Sequence, residues 1–459
     1  MRFAVIGFAL ILGLSASASA HGRPPYVERI AFDPSDPDRI VLQFSYGLVV
    51  SDDGGASWTW VCGAAYGIDA GWEDPDITIT GDGSTIIGTF TTALRAAPDL
   101  CTFEQPGGSI ADTEVIDLVA DPHDPDVVWA LTTRGGGDPE LLQRTEDGGR
   151  SWVTVGEPFD ALLASVALAP SDPARVYVTG LVPRTALMPR RALLYRSTDR
   201  GERFTPIEIE ILDGEETPIV VGVDPTDAER LFVRMPRRTL DREPERLLVS
   251  EDGGDTFVTA HTLHQMRGFA LSDDGRTVWA GSATGDGVWV ARDGALAFTQ
   301  VNTLHVRCLE SRGETLWLCV DQLNSRFALG RSDDEGESVE ELFYLDEVED
   351  RPECPTCSAT GVICPFWIDD LAIDFTRYFD APPGMPVDAS IPAECIDAGP
   401  PDSGAGGGLD AGVEPGMDGG VTTPQPAGCG CRAGGGERSG GALVLVIFAA
   451  LSAMRRRRA

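Results

Sequence analysis

The stretch Ser51-Asp52-Asp53-Gly54-Gly55-Ala56-Ser57-Trp58 is an acidic, glycine-rich turn that ends on an aromatic ring, and the chain writes it repeatedly. Thr145–Trp152 reads T-E-D-G-G-R-S-W, Ser197–Phe204 reads S-T-D-R-G-E-R-F, and Ser250–Phe257 reads S-E-D-G-G-D-T-F. A copy at Ser332–Val339 has lost the ring, and a weaker one keeps only Asp293 and Phe298. The gap between Asp53 and Asp147 holds A-A-P-D-L-C-T-F, in which Pro98 stands at the carboxylate position and Phe103 at the ring. With that decayed copy counted, the spacings are 45, 49, 52, 53, 41 and 41 residues, which makes seven units.

A second element recurs in phase. I-A-F-D-P-S-D-P-D-R-I-V begins at Ile30, V-A-D-P-H-D-P-D-V-V-W at Val119 and L-A-P-S-D-P-A-R-V-Y-V at Leu168, with related versions at Val221 and Leu271. Each is an apolar strand, a proline–aspartate turn and a strand rich in β-branched and aromatic residues. A third strand follows, such as Leu193-Leu194-Tyr195, then the acidic turn and a fourth strand, such as Trp58-Thr59-Trp60-Val61. Four short strands per unit of this length match one blade of a β-propeller. A single such sheet cannot bury both faces alone, so neighbours must stack around an axis. The expected fold is therefore all-β: a seven-bladed β-propeller of four-stranded antiparallel blades over residues 21–345.

Composition restricts the functions open to this fold. The formal net charge is −36 in 459 residues, and all 36 basic side chains are arginine. So acidic a chain is repelled by nucleic acid and by anionic membrane surfaces. Five histidines make a histidine-built metal or catalytic centre a poor expectation, and neither metal nor cofactor is expected. Residues 1–20 read as a secretory signal: Arg2, an apolar core over Phe3–Leu14, then Ala18-Ser19-Ala20 before His21. An exported chain can form disulfides. Cys308 and Cys319 flank a tight reversal and are placed to bridge a hairpin. Cys354, Cys357, Cys364 and Cys395 cluster after the repeats, leaving Cys62 and Cys101 as a longer-range pair; connectivity does not follow from sequence. The C-x2-C-x6-C spacing also fits zinc, but without nearby histidine disulfides are favoured.

The repeated turn resembles the Asp-box, or BNR repeat, of sialidases, sortilin-like proteins and other propellers. The resemblance implies that Asp53, Asp147, Asp199, Asp252 and Asp334 are architectural and lie on the outer turn between third and fourth strands, away from the central funnel. The chemistry agrees. The aspartate can accept N–H groups of its own turn, the glycine permits positive φ, and the ring packs into the blade. No catalytic residue is assigned. Sialidases carry an arginine triad for the substrate carboxylate, a tyrosine–glutamate pair and an R-I-P-type motif before the first box. No R-I-P-type motif precedes Ser51, where the available arginines are Arg23, Arg29 and Arg39, and Arg39 belongs to the repeated proline–aspartate turn. A non-catalytic binding module for an extracellular glycan or protein is the expected function, with a sialidase-like glycoside hydrolase as the alternative.

Two loops between second and third strands stand out. L-V-P-R-T-A-L-M-P-R-R-A carries Arg184, Arg190 and Arg191; R-M-P-R-R-T-L-D-R-E-P-E-R carries Arg234, Arg237, Arg238, Arg242 and Arg246. Adjacent blades place them side by side, and arginine's planar fork suits carboxylate or phosphate groups. Arg184, Arg190, Arg191, Arg234, Arg237 and Arg238 are thus the candidate ligand-binding residues. The competing expectation is that these arginines pair with Asp241, Glu243 and Glu245. The loop Tyr66–Trp72 is a lesser, aromatic candidate.

Residues 346–380 read as a cysteine-rich cap, with a short helix or closing strand over Trp367–Phe379. Residues 381–427, rich in Pro, Gly, Asp and Ala, read as a disordered stalk. The end, 428–459, orders a Cys429-Gly430-Cys431 motif, a 13-residue apolar run Ala442–Met454 expected to be a short helix, and Arg455–Arg458. It resembles the MYXO-CTERM sorting tail. That resemblance implies a sorting protease acting near Cys429 or Cys431 and attachment of the propeller to the membrane at the cell surface.

Overall fold

The computed structural model describes residues 24–68, 73–238, 243–348, 351–365 and 367. The segments expected to be signal, stalk and tail, with Cys395, Cys429 and Cys431, lie outside the described residues. The repeats form seven sheets, each a meander of four antiparallel strands built from one continuous stretch of chain. The first strands are Val27–Phe32, Asp76–Ile79, Glu114–Asp121, Leu162–Ala169, Ile219–Val223, Met266–Leu271 and Val306–Arg312. Each packs against the first strand of the next sheet, and Val306–Arg312 returns to Val27–Phe32, so the ring closes. The protein is a seven-bladed β-propeller with these strands around its axis. The third blade gains a fifth strand, Gly107–Gly108, parallel to Ser151–Trp152. A Cβ on Gly108 would lie 2.1 Å from the Trp152 carbonyl oxygen, so only glycine permits that approach.

The acidic turns form one repeated device. In the first blade Ser51 Oγ donates to Asp53 Oδ1 (2.8 Å) and accepts from Gly55 N (2.8 Å), while Ser57 gives Asp53 its N–H (2.8 Å) and its hydroxyl (2.6 Å). Thr145/Asp147, Ser250/Asp252 and Ser332/Asp334 repeat the set, and Ser197/Asp199 lacks only the last hydroxyl. These bonds hold the carboxylates low: Asp334 falls to about 2, chiefly through the Ser338 hydroxyl. The turn also docks on the first-to-second-strand turn of its own blade, as Gly54 N to Asp38 O (2.8 Å) and Gly253 N to Glu229 O (2.8 Å). All of these turns therefore share one face of the ring.

The aromatic ring ending each turn does not stay within its blade, as the sequence reading has it. Trp58 of the first blade packs at a tilt against Phe343 of the seventh (4.9 Å), and Phe204 of the fourth meets Phe159 of the third (5.1 Å). Trp152 of the third blade shares a buried cluster with Ile86 of the second. The reason is steric. The turn's second glycine lies flush on the preceding blade, so that a Cβ on Gly149 would come within 2.2 Å of Ile86 Cδ1. The turn is thus a joint between wedges as well as a corner.

The disulfides correct one expectation. Cys308–Cys319 does bridge a hairpin, between facing residues of paired strands. Cys62 and Cys101 do not pair with each other. Cys62 bonds Cys364 and Cys101 bonds Cys354, while Cys357 is also disulfide-bonded. Because each blade is contiguous, no strand among the described residues is exchanged to lock the ring. The segment after the seventh blade instead returns to the first two blades, where residues 359–365 are helical and Thr360 donates its hydroxyl to Leu100 O (2.6 Å). Cys354 and Cys364 thus serve as a covalent latch on the ring.

Candidate functional site

A meander with its acidic turns on one face has its second-to-third-strand loops and blade-to-blade connections on the other. That opposite face carries the arginine-rich loops. A cleft of about 910 Å³ opens between the fourth and fifth blades, lined by Arg184, Leu187, Met188, Arg190, Asp213 and Arg238 among others. Leu187 is 92% exposed and Met188 54%, so the loop tip presents apolar surface beside guanidinium groups.

The six arginines meet different fates. Arg190 is spent on backbone, donating to Glu215 O (2.5 Å) and Leu212 O (2.9 Å). Arg234 forms a fork with Glu245 (2.8 and 3.2 Å). Arg237 donates to Asp213 O (3.2 Å), and Arg238 stands 3.9 Å from Glu216. Arg184 has no hydrogen-bond or ion-pair partner among the described residues and lines the cleft. Arg191 begins the third strand of its blade and lines a separate cleft with Phe159, Tyr195 and Phe204. So Arg184, Arg190 and Arg238 share the main cleft, whereas Arg190, Arg234, Arg237 and Arg238 share a neighbouring cavity of about 550 Å³. Asp241 and Arg242 lie outside the described residues.

One buried pair fixes this region. Glu215 is wholly buried, and both its oxygens take the Arg246 guanidinium (2.7 and 2.8 Å), with Leu212 N on one of them (2.7 Å). That pins the connection from fourth to fifth blade onto the fifth blade. An isolated bridge, Glu215 to Arg237, reinforces it.

Sequence reasoning missed a second group, in the channel. Arg29 pairs with Asp76, and Asp76 stands beside Asp117; the three sit at equivalent positions of the first strands of blades one to three. Asp117 accepts Val166 N (2.7 Å) from the fourth blade. Burial and then the Asp76 charge push the Asp117 carboxyl well up; burial also raises Asp76, against the opposing pull of Arg29. On the seventh blade, Glu310 lies in the first strand, Val306–Arg312, and keeps an exposed side chain. Desolvation lifts it to about 7, with Arg29 acting the other way. No local pattern announces these residues, because each comes from a different blade. The only hint is a charge inside an otherwise apolar first strand.

No protein-family model and no curated protein matches the chain. Among solved structures it is similar to a GH74 enzyme from Niastella koreensis (13% identity, 72% of this chain and 66% of that one, TM-score 0.41). It is also similar to the extracellular domain of a protein from B. thetaiotaomicron described as a hybrid two-component system (16%, 67% and 38%, TM-score 0.47). Hydrazine synthase from Kuenenia stuttgartiensis is a third (10%, 74% and 99%, TM-score 0.48). The chain spans less than two thirds of the first two. At these identities the likeness concerns the propeller fold alone.

Proposed function

We propose that this chain is an exported propeller, held at the cell surface by its C-terminal tail after sorting-protease action, that binds an extracellular glycan or protein without catalysis. The observation that carries the reading is the cleft between the fourth and fifth blades. Arg184, with no acidic partner among the described residues, and the exposed Leu187 and Met188 stand there on the face opposite the architectural turns. In a protein of charge −36, a partner bearing carboxylates is repelled everywhere except at such a place. The disulfides support an oxidising location. The repeated turns, which resemble Asp-boxes, take no part in binding.

The test is a screen of the purified mature chain against acidic and neutral glycans and surface proteins. A saturable isotherm without product, weakened in Arg184→Ala/Leu187→Ser, supports the reading. Turnover of fluorogenic sialosides or polysaccharides would replace it with a glycoside hydrolase. The specific observation favouring that alternative is the group of raised channel carboxyls, Asp117 and Glu310.

A further inference from the structure

Five of the first strands carry a register shift at the same level as the first blade's, so that one extra residue per strand is turned out of the ladder. Around the ring these residues include Glu28 of the first blade, Arg307 of the seventh, Arg267 of the sixth and Ala164 of the fourth. Arg307 is satisfied: its fork closes on Glu28 and its guanidinium lies 4.2 Å from the Tyr26 ring centroid. The next residue along, Arg267, forms no ion pair among the described residues. The charges that act on it are Arg234 and Arg307, and the Glu245 and Glu28 to which those two are already paired. Among the described residues Arg267 has neither hydrogen-bond nor ion-pair partner.

Arg267 lines the cavity of about 550 Å³, where first strands of the fourth, fifth and sixth blades meet the arginine loops. Five arginines and two glutamates surround that space, and Glu245 is fully used by Arg234, Arg237 N (3.4 Å) and Met266 N (3.1 Å). The walls also supply Gln265 and Thr217 as neutral hydrogen-bonding groups, and Ile219 and Pro236 as apolar surface. We infer that this channel-mouth cavity is a subsite for a hydroxylated carboxylate, the uronate unit of an acidic saccharide, with Arg267 as its counter-ion. One uncompensated fork matches one monoanion, the amide and hydroxyl match sugar hydroxyls, and the volume is that of a small-ligand pocket. Partial desolvation, then Arg234 and Arg307, pull the Arg267 guanidinium below its ordinary value against the weaker opposing pull of Glu28 and Glu245, and an incoming anion relieves that cost.

This inference rests on the reading of this face as a binding surface and names the chemistry it selects. The test titrates the purified mature chain by calorimetry with sodium glucuronate, sodium sulfate and glucose, with sodium chloride holding ionic strength constant. Glucuronate is expected to bind, glucose and sulfate to bind at least tenfold more weakly, and Arg267→Gln to lose tenfold or more in glucuronate affinity. Arg267→Lys, which keeps the charge without the fork, is expected to fall between and serves if Arg267→Gln does not fold. Absence of glucuronate binding by the wild type, equal binding of sulfate, or an unchanged affinity in both variants would overturn the assignment. If the wild type binds a glycan polymer through Arg184 but not free glucuronate, this inference alone fails; if it binds neither glycans nor proteins, the binding-module reading fails.

Discussion

Cys62, closing the outer strand of the first blade, is bonded to Cys364, 302 residues further along the chain. The two ends of a seven-membered ring are thereby fastened by one covalent bond, with Cys101–Cys354 as its companion on the second blade. Removing the first bond by Cys62→Ser/Cys364→Ser is expected to cost about 2–5 kcal/mol, since closing so long a loop removes much unfolded-chain entropy. The ring itself should persist, because Trp58 on Phe343 and Phe32 on Trp317 (5.2 Å) join the first and seventh blades without it. Denaturant unfolding of oxidised wild type and variant measures the difference.

Breaking the Glu215–Arg246 pair is expected to be more local and more severe. Arg246→Met leaves a wholly buried carboxylate without its counter-charge, a change that costs about 3–5 kcal/mol. It also frees the loop whose carbonyls hold Arg190, so affinity for any ligand of the cleft should fall together with the melting temperature. Glu215→Gln/Arg246→Met, which removes both charges, should recover part of the stability.

Asp147→Asn tests the architectural role of the turns. An amide cannot accept both the Ser151 N–H and hydroxyl as the carboxylate does, and a loss of about 1 kcal/mol is expected. Ligand binding should be untouched, because the turn lies on the other face. The pH dependence has a definite sign. Asp334, held at about 2, contributes stability that is fully present above the ordinary carboxylate range and is lost as pH falls toward 2. Acid titration of wild type and Asp334→Asn should converge near that pH.

Glu310 has the opposite sign. Its carboxyl is raised to about 7 by desolvation, so the folded ring binds this proton more tightly than the unfolded chain does. Stability from this group therefore declines as pH rises from the ordinary glutamate value of about 4.3 to about 7. Glu310→Gln should flatten the melting-temperature profile across that window and raise the melting temperature at pH 8. No change in the profile would show that water in the channel solvates Glu310 fully.

The architecture was legible because its signals are local. An aspartate accepting N–H groups four residues on, and a glycine pressed on the next wedge, leave a short written pattern wherever a corner is needed. Even the decayed copy keeps the place: Leu100 takes the positive φ (54°) in the corner whose carboxylate position holds Pro98, and Asp99 accepts Cys101 N (3.0 Å). The loops of Arg184 and Arg238 were legible for the same reason, as runs of arginine. Their allocation was legible in part: the expected pairing with Glu245 is met by Arg234, whereas Glu215, which takes Arg246 through buried geometry on the blade-to-blade connection, was not anticipated. The channel was silent. Arg29, Asp76, Asp117 and Glu310 are neighbours only once seven sheets have come round, as are Arg267 and Arg307, and Cys62 and Cys364.

The order of manufacture gives the latch a further meaning. Every wedge is translated before Cys354 and Cys364, so the fastener is the last piece of the ring to be made. Until those thiols meet an oxidant, the first and seventh wedges touch without being tied. Under the proposed export, the finished, clasped ring is a product of the oxidising compartment the protein reaches, and not of the one where it is synthesised.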